Sequence, residues 1–225
     1  MTGQLSLAVQ LPDDAEFANF HICDKNVTAV GRLRDFLDRR SGSLLIHGPR
    51  GSGKSHLLQA SCQRFEMAGS GIVYLPLRGL AAHPAADLVD GLEGRALVCL
   101  DDVEAVAGSA DWEEALFHLF NRCAEAQTPL LMAAALPPSG LGVRLADLGS
   151  RLRGSLIIAL AELDDEARIA ALVLRAQHRG MAMDPDVARL IWQRSPRDMP
   201  SLMDVLDRLD SASLEAGRRL STGFV

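Results

Sequence analysis

The eight residues "GPRGSGKS" (48–55) follow the pattern G-x-x-x-x-G-K-[ST]. That spacing of glycines, a lysine and a hydroxyl suits one task, the holding of a phosphate chain. Gly48, Gly51 and Gly53 allow the backbone to turn tightly around an anion, so that main-chain N–H groups and the start of the next helix face it. Pro49, Arg50 and Ser52 complete the loop, while His56 either joins the site or packs beside the helix. Lys54 is expected on the β- and γ-phosphates and the Ser55 hydroxyl on Mg²⁺. Of the 23 basic side chains only Lys25 and Lys54 are lysines, and a compact ammonium is the cation such a site needs. Downstream, "LVCLDD" (97–102) is an apolar run ending in acids. Asp101 is expected to orient Mg²⁺ through water and Asp102 to polarise an attacking water; the competing reading is that either carboxylate caps the helix that follows.

These residues need rigid supports. "SLLIHG" (43–48), "IVYLPL" (72–77), "LVCLDD", "LLMAAA" (130–135) and "LIIAL" (156–160) are almost continuously apolar, as strands buried on both faces of a parallel sheet are. Between them, "KSHLLQASCQRFEMA" and "DWEEALFHLFNRCAEA" carry apolar residues at helical spacing. The alternation predicts a five-stranded parallel α/β sandwich over residues 15–161. From 162 to 225 the pattern changes. "DDEARIAALVLRAQHRG", "PDVARLIWQRS" and "MPSLMDVLDRLDSASLEAGRR" read as three helices of a small helical domain, with Asp164 capping the first and Gly180 ending it.

Composition narrows the class. The 225 residues carry a net charge of −6 and are 48 % hydrophobic, enough for a core without disulfides. Cys23, Cys62, Cys99 and Cys123 form no CxxC pair and read as reduced thiols. No run approaches the roughly 18 apolar residues of a membrane span, so the cytoplasm is the expected location. The acidic balance argues against an extended nucleic-acid surface.

Taken in order, "GPRGSGKSHLLQA", "LVCLDDVEAVAG", "WEEALFHLFNR" and "LGSRL" resemble the DnaA-related AAA+ family of P-loop NTPases, and within it the Hda group of DnaA regulatory inactivators. The resemblance runs over nearly the whole chain and implies an AAA+ fold with a helical lid. From residue 162 there are nine basic and eleven acidic residues, and no basic helix-turn-helix domain is expected beyond them, so strong direct DNA binding is not implied. What the resemblance implies is a negative regulator of replication initiation, bound to ADP or ATP with Mg²⁺. Such a regulator docks on the β sliding clamp of DNA polymerase III and stimulates hydrolysis of DnaA-bound ATP.

For residues 1–14 it implies a clamp-binding tail built on "QLSLAV". Gln4 offers its amide, and Leu5, Leu7 and Val9, with Ser6 between, enter an apolar groove. An edge strand of the core sheet is the alternative for this alternating stretch. Arg151 in "SRL" matches the family's arginine finger, the residue projected toward a neighbouring subunit's γ-phosphate; Arg153 is the alternative. Two stretches depart from the family. "MAAALPP" places Ala133, Ala134 and Ala135 where hydrolysing relatives have a polar γ-phosphate sensor. In "PRDMPSL", Pro200 replaces a lid arginine, for which Arg197 is a candidate substitute. Both departures imply poor hydrolysis of the protein's own nucleotide. Phe17 and Phe20 stand where the resemblance implies that the family's adenine pocket begins. A self-hydrolysing AAA+ ATPase, such as a helicase or clamp loader, is the alternative function, and self-association is left open.

Overall fold

Strands β1 (Ser43–His47), β2 (Ile72–Pro76), β3 (Leu97–Asp101), β4 (Leu130–Ala134) and β5 (Leu156–Ala159) form one parallel sheet in the order β2-β3-β4-β1-β5. Each lies within its apolar run. The structure, a computed structural model, describes residues 15–66, 71–196 and 198–216.

Period-two alternation divides the strand residues between two faces. Leu44, Ile46, Leu97, Cys99, Leu131 and Ala133 pack beneath helices α1 (Val27–Arg39) and α2 (Lys54–Glu66). Leu45, Val98, Leu100 and Met132 face the other way. There they meet α3 (Leu77–Leu80), α4 (Ala85–Val89), α5 (Ala110–Glu125) and α6 (Ala146–Gly154). The sheet is therefore sandwiched between helices, as the sequence predicts. Helices α1, α3, α4 and α6 are additions to the elements read from sequence; they are short, or have little apolar surface outside the stripe that packs.

The connection leaving β1 crosses the sheet by α2 on one face, and that leaving β4 crosses by α6 on the other. The chain thus reverses direction at the neighbouring ends of β1 and β4, the place where open α/β sheets bind ligands.

Beyond the sheet, α7 (Asp165–His178), α8 (Pro185–Arg194) and α9 (Met199–Ala216) enclose their own apolar cluster, including Leu172, Ile191, Trp192, Leu202 and Leu206. Asp164 accepts the Ala167 N–H at 2.9 Å and so caps α7, and Gly180 turns the chain out of it at φ 75°. The same Asp164 accepts from Lys25 at 2.8 Å, joining the lid to the segment before α1. All four cysteines are free thiols.

Candidate functional site

A cleft of about 650 Å³ opens over the carboxyl ends of β1, β3 and β4 and is roofed by the lid helices. Its floor is the loop between β1 and α2. Gly51 and Gly53 take φ of 80° and 93°, conformations that cost a side chain dearly. Gly48 is required for a different reason: a Cβ there would lie 2.4 Å from the Leu160 carbonyl oxygen. Its carbonyl accepts from Lys54 Nζ at 2.7 Å, and that of Pro49 accepts from the same ammonium at 2.9 Å. Burial pushes the Lys54 ammonium below its ordinary pKa, against the pull of Glu104, Asp101 and Asp102. Ser52 Oγ is buried without a hydrogen-bond partner among the described residues. A glycine cradle, a partly desolvated cation and an orphaned hydroxyl fit an anionic phosphate chain. Arg50, Ser55 and His56 also line this cleft.

The two acids after β3 are treated differently. Asp101 is 4 % exposed and lies under the cleft. It accepts the Tyr74 hydroxyl at 2.7 Å on one oxygen and the Asp102 N–H at 3.0 Å on the other. Each oxygen keeps a further lone pair, and Asp101 and the exposed Ser55 hydroxyl are the candidate ligands for a divalent cation. Among the described residues no cluster of three or more acids, histidines or cysteines could hold a metal by itself. Asp102 occupies the left-handed region at φ 56°, which turns its carboxylate to the cleft wall. There Arg78 Nε donates to it at 2.9 Å and an Arg78 terminal nitrogen donates to Glu104 at 3.4 Å. The other Glu104 oxygen accepts the Ala135 N–H at 3.0 Å. Neither Arg78 nor Glu104 is singled out by sequence pattern, since their pairing joins strand ends that only the sheet brings together.

Phe20 lines the cleft and lies over the phosphate loop: a Cβ on Gly53 would be 2.6 Å from its ring. Phe17 instead packs on the core beneath α1, with the Arg34 guanidinium 5.4 Å from its ring centroid. His56 meets Phe20 at a centroid distance of 5.4 Å. Its Nε2 lies 2.9 Å from the Glu16 carbonyl and its Nδ1 3.4 Å from a guanidinium nitrogen of Arg175. Since arginine can only donate, Nδ1 accepts and Nε2–H donates to Glu16. His56 thereby joins the residues before α1, the phosphate-loop helix and lid helix α7. Ala135 and Pro200 both border the cleft, as does Arg175, a lid cation that helical spacing alone does not distinguish from its neighbours. Arg197 and the tail residues Gln4, Leu5, Ser6, Leu7 and Val9 lie outside the described residues.

Arg151 is not at this cleft. It stands on α6 beside a second cleft of about 630 Å³, whose walls include Phe117, Asp147 and Ser150. It is exposed and makes no side-chain hydrogen bond or ion pair among the described residues. Arg153, two residues on, folds back over its own helix: a Cβ on Gly149 would be 3.2 Å from its guanidinium.

A family model for the bacterial DnaA ATPase domain matches residues 11–160, about two thirds of the chain, and one for the Hda lid domain matches residues 165–225. Among solved structures, domain III of the Thermotoga maritima replication initiation protein DnaA superposes with a TM-score of 0.78 at 20 % identity, covering 95 % of each chain. AMPPCP-bound DnaA from Aquifex aeolicus gives 0.73 at 21 % identity, over 92 % of this chain and 68 % of that one. The Thermotoga maritima RuvB branch-migration motor gives 0.59 at 18 % identity, over 90 % and 67 %. At these identities the structural likenesses speak to the fold, an AAA+ sandwich with a helical lid.

Proposed function

The chain belongs to the bacterial DnaA ATPase-domain family and carries an Hda-type lid, and from that premise we propose that it is a nucleotide-bound regulator that switches off replication initiation. On this reading it holds ADP, docks on the β sliding clamp through residues 1–14, and presents Arg151 to ATP held by DnaA.

One observation carries the proposal: Arg151, the candidate arginine finger, lies at a different cleft from the phosphate loop. The cleft at the phosphate loop has the cradle for a nucleotide, and the similar Aquifex aeolicus DnaA is bound to a nucleotide analogue. A bound Mg²⁺–nucleotide supplies the charge that the loop N–H groups, Lys54 and Ser55 neutralise. Yet Ala135 and Pro200, which stand where hydrolysing relatives are expected to contact a third phosphate, line this cleft. Asp102, the candidate base, is engaged by Arg78 at 2.9 Å. Arg151, by contrast, is exposed beside a different cleft. A guanidinium without a side-chain partner among the described residues is placed to meet a transferring phosphoryl group on another subunit, where an arginine is worth about 10³–10⁵ in rate.

The test is a turnover assay. The purified protein alone should hydrolyse ATP far below about 1 s⁻¹, the lower end of the usual enzyme range. With clamp, DNA and ATP-bound DnaA, hydrolysis of the DnaA-bound nucleotide should rise steeply. Fast turnover by the protein alone would instead favour a self-hydrolysing ATPase using Glu104 or Asp102.

A further inference from the structure

Glu113 lies on α5 with 3 % of its surface exposed and lines neither cleft. A carboxylate so deep is costly unless its lone pairs are filled. Three backbone N–H groups fill them. Gly108 donates to Oε1 at 2.6 Å, Arg144 to both oxygens at 3.0 Å, and Leu145 to Oε2 at 2.7 Å. Burial works to raise this carboxyl's pKa, but the bonds from Gly108, Leu145 and Arg144 outweigh it and hold the group below the usual range.

The donors are not part of a regular element. Arg144 and Leu145 end the irregular stretch 141–145, and Leu145 is the cap residue from which α6 starts. Elsewhere α6 is seated on the core through Leu148 and Leu152, and at its far end Ser155 Oγ donates to the Arg151 carbonyl at 3.1 Å and lies 2.8 Å from Ser43 Oγ. Apolar contact is non-directional, so it holds the helix against the sheet without fixing its start. Arg151 sits six positions beyond Leu145, about 9 Å along the axis at 1.5 Å per residue. A slip of the helix start by one residue turns every side chain by about 100°, enough to swing Arg151 from one wall of its cleft to another.

We propose that Glu113 is a positioning residue for Arg151: by clamping the N–H groups at the start of α6, it sets where that helix begins and so the direction in which the guanidinium leaves the surface. The inference rests on the reading of Arg151 as a group supplied to a partner's nucleotide.

The experiment compares four full-length proteins, unaltered, Glu113→Gln, Arg151→Ala and the double variant, with clamp, DNA and ATP-bound DnaA. The rate of hydrolysis is measured against regulator concentration. Glutamine keeps the volume but turns an N–H₂ toward the backbone donors. A catalytic group misplaced by about 1 Å costs on the order of 10²-fold, so Glu113→Gln is expected to lower the maximal rate roughly 10–100-fold. The half-maximal concentration should stay within about twofold, and ADP binding should not change. Because the two residues act in series, the double variant should be no slower than Arg151→Ala.

Full stimulation by Glu113→Gln beside an inactive Arg151→Ala overturns the positioning role alone, and so does a double variant slower than Arg151→Ala. Full stimulation by Arg151→Ala overturns the reading on which this role depends. If thermal unfolding shows Glu113→Gln unfolded at the assay temperature, Glu113→Asp takes its place. It keeps the charge but shortens the reach by one methylene, and a partial loss of maximal rate is expected; an undiminished rate would overturn the proposal.

Discussion

Replacing Arg151 with alanine removes a side chain that is exposed, outside the nucleotide cleft and without an ion-pair partner among the described residues. Substitutions at such surface positions change stability by about 0.5 kcal/mol or less. Since the nucleotide cleft does not contain Arg151, ADP affinity should also stay within about twofold. The effect on a partner's chemistry should be of another order. An arginine supplied in trans contributes about 10³–10⁵ in rate, which at 1.36 kcal/mol per decade is about 4–7 kcal/mol of transition-state stabilisation. The assay is single-turnover hydrolysis of labelled ATP on DnaA, with clamp and DNA, alongside thermal unfolding and ADP calorimetry. Arg151→Lys should not restore the rate, because an ammonium cannot form the planar two-pronged contact. Arg153→Ala should retain most of it, because that guanidinium lies over Gly149 of its own helix. If Arg151→Ala stimulates hydrolysis as well as the unaltered protein, or if Arg153→Ala is the variant that fails, the division of labour between the two clefts is wrong.

Three further outcomes are expected. Replacing Gln4, Leu5 and Leu7 together by alanine should abolish clamp capture in a pull-down without changing the melting temperature. Each leucine buried in a groove is worth about 1.5–3 kcal/mol, so normal clamp affinity in the triple variant would refute the tail assignment. Gly53→Ala places a methyl 2.6 Å from the Phe20 ring at a φ of 93°. ADP affinity in calorimetry should fall at least about tenfold, and unchanged affinity would show that the loop is not the nucleotide cradle. Burial lowers the Lys54 pKa, so between that lowered value and 10.5 the unfolded chain binds more protons than the folded one. The nucleotide-free protein should therefore gain stability from this group as pH rises through that window. The rise in melting temperature caused by ADP should shrink over the same range as the ammonium is lost. Lys54→Met should show only a small ADP-induced rise at every pH; a large one would place the phosphates elsewhere.

Much of this molecule is written in short-range pattern. The phosphate loop is legible because glycine, lysine and hydroxyl must stand at fixed spacings to wrap an anion. The five strands are legible because burial on both faces demands uninterrupted apolar runs. Asp164 is readable as the cap of α7 because capping is a contact between residues three apart. Helix α6 is harder to see, since among its nine residues only Leu148, Gly149 and Leu152 are buried. That is too few to announce a periodicity.

The sequence by itself thus determined the fold class, the place of the phosphate loop and the two acids after β3. What only the tertiary structure decided is who faces whom. Arg78 meets Asp102 and Glu104 because β2 and β3 are neighbours. The Ala135 N–H reaches Glu104, 31 residues away, because β4 lies beside β3. Arg151 and Arg153 are equivalent as letters and opposite as structures, one exposed at a cleft, the other folded over Gly149. Glu113 reads as one more acid on an amphipathic helix until the loop before α6 is brought against it. The reason is physical: local spacing selects backbone conformation, while the partner of a charge is chosen by sheet order and crossover direction, which join residues that no local pattern connects.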